Sequence, residues 1–422
     1  MIVELISVGT EILLGNIVNT NAAYLSEQCA LAGLSCYFQS VVGDNEERLS
    51  MTLKCAMERS DIVILSGGLG PTEDDLTKEV AAKVCGRKLV TNDMWMERIS
   101  EFFAARNITP TENNWKQAMV PKGAIVLDNP NGTAPGLIME EKNAKVILLP
   151  GPPNELIPMF EASVRPYLEE LTPGALYSQT VKICGQGESA VETAIKDLID
   201  AQTNPTLATY AKTGEVHIRV TASAETVKEA KKLTKPVVKE LKARFGADVY
   251  TTEEEVTLEK AVEDLLLANK LTMTCAESCT GGLLSARLVN IPGASEVFKS
   301  GLVTYSNKAK RKYLGVKKGT LQKYGPVSKQ IAEEMVKGAA AASKCDVAVS
   351  ITGIAGPDGG TKEKPVGLVY IGCSVKGKVT VKEYHFSGSR AKVRDSAVAA
   401  ALTLVRRCIL EYISDLTFRK KS

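Results

Sequence analysis

Histidine is nearly absent from this chain. Only two of its 422 residues are histidines, and neither His217 nor His385 lies near a serine motif. A serine hydrolase with this sequence could not rely on the histidine base of a Ser-His-Asp triad. We therefore expect a lysine to act as the base if the chain cleaves an amide or ester with a serine.

The chain also lacks an excess of one charge. Its 52 basic and 49 acidic residues leave a formal net charge of +3, which creates no strong field for nucleic acid or an anionic membrane. The composition therefore disfavours direct nucleic-acid binding and membrane association. The ten cysteines include no C-x-x-C spacing, which favours reduced, mostly buried thiols over disulfides or a zinc site.

Long apolar runs and targeting signals are missing too. No uncharged apolar run approaches the length of a membrane-spanning helix. The N-terminus opens directly as a predicted strand, without a basic leader or a cleavage site. We therefore expect a cytoplasmic protein.

The length predicts about three domains. Residues 1–170 alternate short apolar strands with helical patterns, which indicates a parallel sheet covered by helices. Residues 174–250 indicate a small α+β module. Residues 256–416 alternate again, then form a hairpin with its turn at 376–378 and a long final helix.

One candidate catalytic motif is A-E-S-C-T-G-G at residues 276–282, which places Ser278 between a predicted strand and a predicted helix. The unpaired N–H groups and positive dipole of a helix start suit an oxyanion or a phosphate. The motif T-Y-S-N-K-A-K then places Tyr305 at a strand end, Ser306 as a helix cap and Lys310 one turn inside that helix. The structural alternatives are an N-cap serine and a solvated basic helix face.

A lysine acts as a base only when it is neutral. Its pKa must therefore fall from roughly 10.4 towards about 7, through burial or charge repulsion. A neighbouring cation such as Lys308 or Arg311 could contribute. Lys308 and Lys310 both reach from the same helix start, so the sequence leaves open which of them is the base.

A glycine loop follows another predicted buried strand, with the sequence S-I-T-G-I-A-G-P-D-G-G at residues 350–360. Loops of this kind can cradle a phosphate or a ribose. The loop lacks the spacing of a Walker motif.

Carboxylates and glycine turns also gather at predicted strand ends of the first domain. The acidic candidates are Glu11, Asp44, Asp74 and Asp75. In an open α/β sheet the carboxyl ends of the strands form the ligand-binding edge, and carboxylates with backbone amides suit a magnesium–phosphate ligand. Alternatively, Asp74 and Asp75 precede a helix that starts at Leu76, where acidic residues favour the helix dipole.

The motifs of the last domain closely resemble the C-terminal domain of the CinA (competence-damage-inducible) family. The matching segments are A-E-S-C-T-G-G, T-Y-S-N-K-A-K, and S-I-T-G-I-A-G-P-D-G-G with E-K-P-V-G. The resemblance implies hydrolysis of the carboxamide of nicotinamide mononucleotide (NMN) to nicotinate mononucleotide and ammonia, with no cofactor. It also implies that Ser278 is the nucleophile, Lys310 the general base and Tyr305 a hydrogen-bonding partner of both.

We expect the remaining residues of these motifs to bind substrate. The amides of Thr280 and Gly281 are expected to hold the developing oxyanion, and the glycine loop with Arg390 or Arg394 to hold phosphate or ribose. The candidate contacts are Cys279, Thr280, Gly281, Gly282, Gly353, Gly356, Gly359, Gly360, Arg390 and Arg394.

The first domain resembles the molybdopterin-binding fold of the molybdenum-cofactor biosynthesis enzymes, and more closely the CinA N-terminal domain. The matching segments are G-T-E-I-L-L-G-N-I-V-N-T-N, G-G-L-G-P-T-E-D-D and L-P-G-P-P-N-E-L. The resemblance implies a three-layer α/β domain that hydrolyses ADP-ribose to AMP and ribose 5-phosphate. It implies a divalent metal, Mg²⁺, Co²⁺ or Mn²⁺, and leaves K⁺ open. The alternatives are molybdopterin binding for adenylyl transfer and a nucleotide-binding module without turnover.

Asp44 and Asp75 match the acidic positions of that fold and are the candidates for catalysis and metal binding. Glu11 and Asp74 are the next candidates for the metal. The candidate substrate contacts are Thr10, Asn21, Gly68, Gly70, Gly151 and Asn154.

Residues 174–250 resemble the KH-type module of the same family. A working KH domain clamps nucleic acid with a G-x-x-G loop, which is absent here, so we expect a spacer or a dimer element. The prediction is thus an α/β chain with a molybdopterin-binding-like domain, an α+β KH-type module and a CinA-type deamidase domain, and the resemblance implies a homodimer. The competing hypothesis is a non-enzymatic partner in DNA uptake or repair.

Overall fold

The computed structural model describes residues 1–171 and 174–419. The chain divides into two compact units, Met1–Tyr177 with Ser223–Ala230, and Ser178–Ala222 with Lys231–Ser422. Within the described chain, every helix is too short or too polar to span a lipid bilayer. The predicted boundaries of three domains stay predictions.

The strands of the first unit are β1 Ile2–Val8, β2 Ser35–Val42, β3 Ile62–Ser66, β4 Leu89–Thr91, β5 Met119–Pro121, β6 Ile125–Leu127, β7 Gly136–Glu140 and β8 Lys145–Leu149. One sheet has the strand order β2-β1-β3-β8-β7-β6, and β4 pairs with β5 separately. Strands β2, β1, β3 and β8 are parallel, whereas β7 and β6 are antiparallel additions at one edge. The predicted parallel sheet is therefore confirmed for its central strands.

The helices of this unit are α1 Thr10–Leu13, α2 Thr20–Leu31, α3 Glu46–Arg59, α4 Thr77–Val84, α5 Asp93–Ala104, α6 Pro153–Met159 and α7 Arg165–Leu171. Alternate residues of a strand face opposite sides of its sheet. In β3, Ile64 joins a core cluster with Leu25 of α2, and Leu65 joins a different cluster with Leu53 of α3. Helices thus cover both faces, as the predicted three-layer α/β domain requires.

The middle module contains β9 Ala175–Cys184, α8 Glu188–Ala194, α9 Lys196–Asp200, β10 Thr206–Lys212, β11 Glu215–Ala224, α10 Val227–Phe245 and β12 Val249–Thr251. Its sheet has the order β10-β11-β9-β12, and its core combines strand residues with Val191 of α8 and Leu241 of α10. The predicted α+β module is confirmed. Ile195 separates α8 from α9, because its backbone leaves the helical conformation.

The last part of the chain contains α11 Leu258–Ala268, β13 Met273–Glu277, α12 Leu283–Val289, β14 Phe298–Val303, α13 Asn307–Leu314, α14 Lys318–Tyr324, α15 Lys329–Ser343, β15 Val347–Gly353, β16 Leu368–Val375, β17 Lys378–His385 and α16 Arg390–Arg419. Its sheet has the order β14-β13-β15-β16-β17. The hairpin of β16 and β17 turns at Lys376 and Gly377, whose φ angles of 48° and 86° fit the primed turns of two-residue hairpins.

Parallel pairing in this sheet gathers three strand ends. Strands β14, β13 and β15 run in the same direction, so their carboxyl ends lie at one edge. Ser278 follows β13, Thr304 follows β14 and Gly353 ends β15. Ser306 caps α13, as predicted, and its hydroxyl accepts from the Ala309 amide at 3.1 Å.

Gly338 on α15 lies against the end of α13. A Cβ at this position would lie 1.9 Å from the carbonyl oxygen of Leu314, so the Gly338→Ala variant must displace the helix that carries Lys310. Overpacking of this kind costs about 1–3 kcal/mol. We expect the variant to have a lower melting temperature by circular dichroism.

Gly319→Ala is the matched control, because Gly319 lies in α14 and a Cβ there would have no atom within 4 Å. Alanine should leave or raise the melting temperature, since it favours helix more than glycine does. Equal melting temperatures for the two variants would contradict the close contact between α13 and α15.

Candidate active sites

Ser278 lies in a tight turn between β13 and α12. Its amide donates to the carbonyl of Ile351 in β15 at 3.0 Å, and its own carbonyl accepts from the amide of Gly281 at 3.1 Å. Gly281 and Gly282 have φ angles of 61° and 97°, which glycine adopts without strain. The turn holds Ser278 in a largely buried position.

The carboxylate of Glu277 binds the backbone amides at the start of α12. The sequence pattern did not predict this contact. Its buried carboxylate accepts from the amides of Gly282, Leu284 and Ser285 at 2.9–3.1 Å, and from the Ser285 hydroxyl at 2.7 Å. The expectation that this helix start receives an oxyanion or a phosphate is therefore wrong, because the chain's own carboxylate occupies it. The only sequence signal was an acidic residue beside the serine.

Lys310 reaches Ser278 through the protein interior. Its Nζ donates to Ser278 Oγ at 2.8 Å and to the carbonyl oxygens of Thr304 at 2.9 Å and Tyr305 at 3.3 Å. A neutral amine has two N–H groups and one lone pair, and the carbonyls can only accept. In the neutral form the carbonyls take both hydrogens, which leaves the lone pair for the Ser278 hydroxyl proton.

Burial prepares Lys310 for that role. The side chain is 1% exposed, and loss of hydration lowers the pKa of Lys310 to about 8. The expected help from Lys308 or Arg311 is not the cause of this shift, which comes from desolvation. Lys308 is exposed, so the lysine that contacts Ser278 is Lys310.

Cys279 is the other potential nucleophile in this turn. It is buried and borders the same cavity as Ser278. Burial raises the pKa of the Cys279 thiol to about 11, so the thiol stays protonated at neutral pH and lacks the reactivity of a thiolate. Ser278 is the stronger candidate for the nucleophile, because its Oγ also lies 2.8 Å from Lys310 Nζ.

Tyr305 does not make the hydrogen bonds expected from the family resemblance. The residue is 61% exposed, and its hydroxyl accepts from Arg390 Nη2 at 3.0 Å. Only its backbone carbonyl contacts Lys310, so the expected hydroxyl contacts with Ser278 and Lys310 are wrong for this structure. Arg390 Nη1 also donates to the Gly356 carbonyl at 2.7 Å and links Tyr305 to the glycine loop.

A cavity of about 280 Å³ borders these groups. The predicted residues that line it are Ser278, Cys279, Tyr305, Lys310, Gly353, Gly356, Gly359 and Arg390. Asn307, Thr352 and Asp358 also line it and were not predicted.

Some predicted contacts lie outside that lining. They are Thr280, Gly281, Gly282, Gly360 and Arg394. Arg394 Nη2 instead donates to the Thr280 carbonyl at 2.7 Å. The amide of Gly281 is already bonded to the Ser278 carbonyl within the turn, so its expected role in an oxyanion site is wrong, whereas the role expected of the Thr280 amide stays a prediction.

A larger cavity of about 690 Å³ lies in the first unit, beside the carboxyl ends of β1 and β3. The predicted residues that line it are Glu11, Asn21, Asp44, Gly68, Gly70, Asp74, Asp75 and Gly151. Thr10 and Asn154 do not line it. The amide and hydroxyl of Thr10 both donate to Asp44 Oδ2 at 2.9 Å, so Thr10 orients a carboxylate. The carbonyl of Asn154 accepts from Asn131 at 2.7 Å.

Asp75 closes the turn that precedes α4. Its carboxylate accepts from the amide of Thr72 at 3.0 Å and from the Thr72 hydroxyl. A Cβ on Gly70 would lie 2.4 Å from Asp75 Oδ2, so the carboxylate needs a glycine opposite it. Helix α4 begins at Thr77, and Asp75 is held by Thr72 rather than by the helix amides.

The larger cavity has negative side chains and no positive ones. Its ionisable lining residues are Glu11, Asp44, Asp74, Asp75 and Glu155, of which Glu155 was not predicted. No group of three metal-binding side chains in residues 1–171 and 174–419 could hold an ion unaided. Carboxylate oxygens suit Mg²⁺, which is commonly bound by one or two carboxylates together with substrate phosphates. The residues therefore fit a divalent cation that enters with a phosphate ligand.

Three family models match consecutive parts of the chain. Residues 4–170 match the probable molybdopterin binding domain. Residues 178–251 match the damage-inducible protein CinA KH domain. Residues 255–409 match the CinA C-terminal domain.

Two similar proteins match almost the whole chain, and a solved structure matches about a third of it. A putative competence-damage inducible protein of Clostridium beijerinckii is 52% identical, over 97% of this chain and 99% of that protein. A CinA-like protein of Dictyoglomus thermophilum is 51% identical, over 96% and 99%. The solved structure of competence/damage inducible protein CihA from Agrobacterium tumefaciens is 41% identical, covers 35% of this chain and 91% of that chain, and has a TM-score of 0.35. The chain therefore belongs to the CinA family of competence-damage inducible proteins.

Proposed function

We propose that the smaller cavity hydrolyses the carboxamide of NMN to nicotinate mononucleotide and ammonia. The observation that carries this proposal is the 2.8 Å contact between Lys310 Nζ and Ser278 Oγ, in a site where the lysine is buried and its pKa is lowered to about 8. This arrangement supplies a nucleophile and a base without histidine.

The residues account for each proton of the reaction. Ser278 Oγ bonds to the carboxamide carbon while Lys310 takes the hydroxyl proton. Lys310 returns that proton to the leaving nitrogen, the C–N bond breaks and ammonia departs. Water then attacks the acyl–serine ester, Lys310 takes its proton and gives it to Ser278, and the carboxylate product is released.

The cavity also supports a mononucleotide as the substrate. Arg390 borders it together with the glycine loop, and a guanidinium is suited to a phosphate. The volume of about 280 Å³ lies just below the ~300–1,000 Å³ of typical ligand pockets. A cavity of this size favours NMN over the larger ADP-ribose.

Replacement of either reacting group tests this site. Ser278→Ala should abolish release of ammonia and nicotinate mononucleotide from NMN, because no other nucleophile contacts the lysine. Lys310→Arg keeps the positive charge but cannot act as a base, and should lower kcat by about 10²–10⁴-fold. Both products are measured by coupled assay and chromatography.

Lys308→Ala is the matched control, since Lys308 lies on the same helix but is exposed. Its kcat should stay within about twofold of wild type. Loss of activity in Lys308→Ala with activity kept in Lys310→Arg would reverse the assignment of the base. No ammonia release by the wild-type chain would make the cavity a binding site only.

For the larger cavity we propose hydrolysis of ADP-ribose to AMP and ribose 5-phosphate with Mg²⁺, Co²⁺ or Mn²⁺. The supporting observation is its charge, because five carboxylates and no cationic side chain line it. A diphosphate would be repelled from such a surface unless cations accompanied it. The metal, when bound, would neutralise the diphosphate. Asp44 and Asp75, whose carboxylates are held by Thr10 and Thr72, are the residues we propose to bind it.

Removal of metal should separate the two activities. EDTA should abolish AMP release from ADP-ribose and leave NMN deamidation unchanged, because the guanidinium of Arg390 supplies positive charge in the smaller cavity. Asp75→Asn should lower AMP release by about 10²-fold or more. Both rates are measured on the full chain by chromatography.

Asp93→Asn is the control, since Asp93 is exposed at the start of α5 and does not line the cavity. It should retain AMP release. AMP release that persists in EDTA would contradict the metal requirement. If the wild-type chain releases no AMP with any of the three metals, the alternative of a nucleotide-binding or molybdopterin-binding module gains support.

A further inference from the structure

One part of the larger cavity is not explained by metal or phosphate binding. Phe102 of α5 and Gln117 both line it, and neither side chain carries a charge. The segment that contains Gln117, Glu112–Ala118, packs against α5. This uncharged region contrasts with the five carboxylates elsewhere in the lining.

Gln117 has an unused hydrogen-bond acceptor. The side chain is buried, with 2% of the residue exposed, and its Nε2 donates to the Leu69 carbonyl at 3.2 Å. Its Oε1 is buried and has no hydrogen-bond partner. Reversal of the amide would direct Oε1 at the Leu69 carbonyl, which can only accept, so the orientation is fixed. A ligand that donates from N–H or O–H would satisfy this atom.

Phe102 offers an aromatic surface in the same region. The guanidinium of Arg106 lies over its ring, 3.5 Å from the centroid, and Arg106 also donates to the Phe102 carbonyl at 3.0 Å. Arg106 itself does not line the cavity. Arg106 thus covers one face of the ring, and Phe102 also lines the cavity, so a flat ligand would stack on the other face.

The surroundings of this region are fixed by hydrogen bonds. Trp95, also on α5, donates from its indole nitrogen to the carbonyl of Thr133 at 2.9 Å. Asn129 donates to the carbonyl of Ala134 at 2.8 Å. Thr133 and Ala134 line the cavity, so one wall is tied to the helix that carries Phe102. A rigid wall of this kind favours binding of a rigid ring system.

We propose that Phe102 and Gln117 form the nucleoside subsite of this cavity. Phe102 stacks on the purine base, and Gln117 Oε1 accepts a hydrogen bond from a donor of the nucleoside. Phosphate oxygens do not fit here, because they offer no proton to Gln117 and gain nothing from an uncharged ring. The identity of the ligand as an adenine nucleotide rests on the proposed hydrolysis of ADP-ribose.

Calorimetry with two product-like ligands tests the subsite. AMP and ribose 5-phosphate are titrated separately, with Mg²⁺, into the full chain and its Phe102→Ala variant. Stacking of one base is worth about 5- to 100-fold in affinity, so the Kd for AMP should rise by that factor. The Kd for ribose 5-phosphate, which has no base, should stay unchanged.

Phe38→Ala is the matched control. Phe38 is also covered by an arginine, with Arg59 3.7 Å from its centroid, but it does not line the cavity. Its Kd for AMP should equal that of wild type. Gln117→Leu should raise the Kd for AMP, as Phe102→Ala does, and leave the Kd for ribose 5-phosphate unchanged. The melting temperature of Gln117→Leu shows whether its fold is retained.

Each outcome bears on the subsite separately from catalysis. If Phe102→Ala raises the Kd for AMP but not that for ribose 5-phosphate, and the wild-type chain does not hydrolyse ADP-ribose, the subsite is supported and the pyrophosphatase proposal fails. Unchanged AMP affinity in Phe102→Ala overturns the subsite. So does an equal loss for AMP and ribose 5-phosphate, or no binding of AMP by the wild-type chain.

Discussion

The removal of the Lys310 amine from water is the constraint on which the smaller site depends. Burial costs the charged form its hydration and lowers its pKa to about 8, while the carbonyls of Thr304 and Tyr305 replace part of the lost hydrogen bonding. The fold provides this environment because β14 delivers the two carbonyls and α13 delivers the lysine. Strand β13 then brings Ser278 to the same point. A solvated lysine at this position would keep a pKa of about 10.4 and would be almost fully charged at about pH 8, where about half of a lysine with a pKa of about 8 is neutral.

The two cavities of the chain differ in the charge of the side chains that line them. The smaller one has Arg390 in its lining, together with the Lys310 amine and the carboxylate of Asp358, so an anionic mononucleotide meets a guanidinium supplied by the protein. The larger one has only carboxylates among its ionisable lining groups, so an anionic ligand needs cations from solution. This difference gives a physical reason why two nucleotide hydrolases on one chain would differ in their need for metal. Together, the two activities we propose would make the chain a bifunctional enzyme of pyridine-nucleotide salvage.

The sequence predicted features set by hydrophobic and motif pattern, and missed those set by the exact path of the backbone and by tertiary contacts. Strand and helix alternation predicted the parallel sheets, and the spacing of Ser306 and Lys310 predicted a capped helix with the lysine one turn inside. Motif spacing could not predict that Glu277 folds back onto the start of α12. Nor could it predict that the Tyr305 hydroxyl bonds to Arg390, because these residues are 85 positions apart. Phe102 and Gln117 carried no motif at all, and only the tertiary fold places both in the cavity lining.

The central claim is that burial lowers the pKa of the Lys310 amine to about 8, so that about half of it is neutral at about pH 8 in the resting protein. The most direct measurement is an NMR titration of lysine side-chain resonances in the isotope-labelled chain between about pH 6 and 11, with Lys310 assigned from the signal lost in Lys310→Arg. A group is neutral above its pKa, so the account predicts one lysine that loses its proton near pH 8 while exposed lysines do so near their ordinary value of about 10.4. If the Lys310 signal titrates with the exposed lysines, the amine is almost fully charged even at about pH 8 and the proposed base is contradicted.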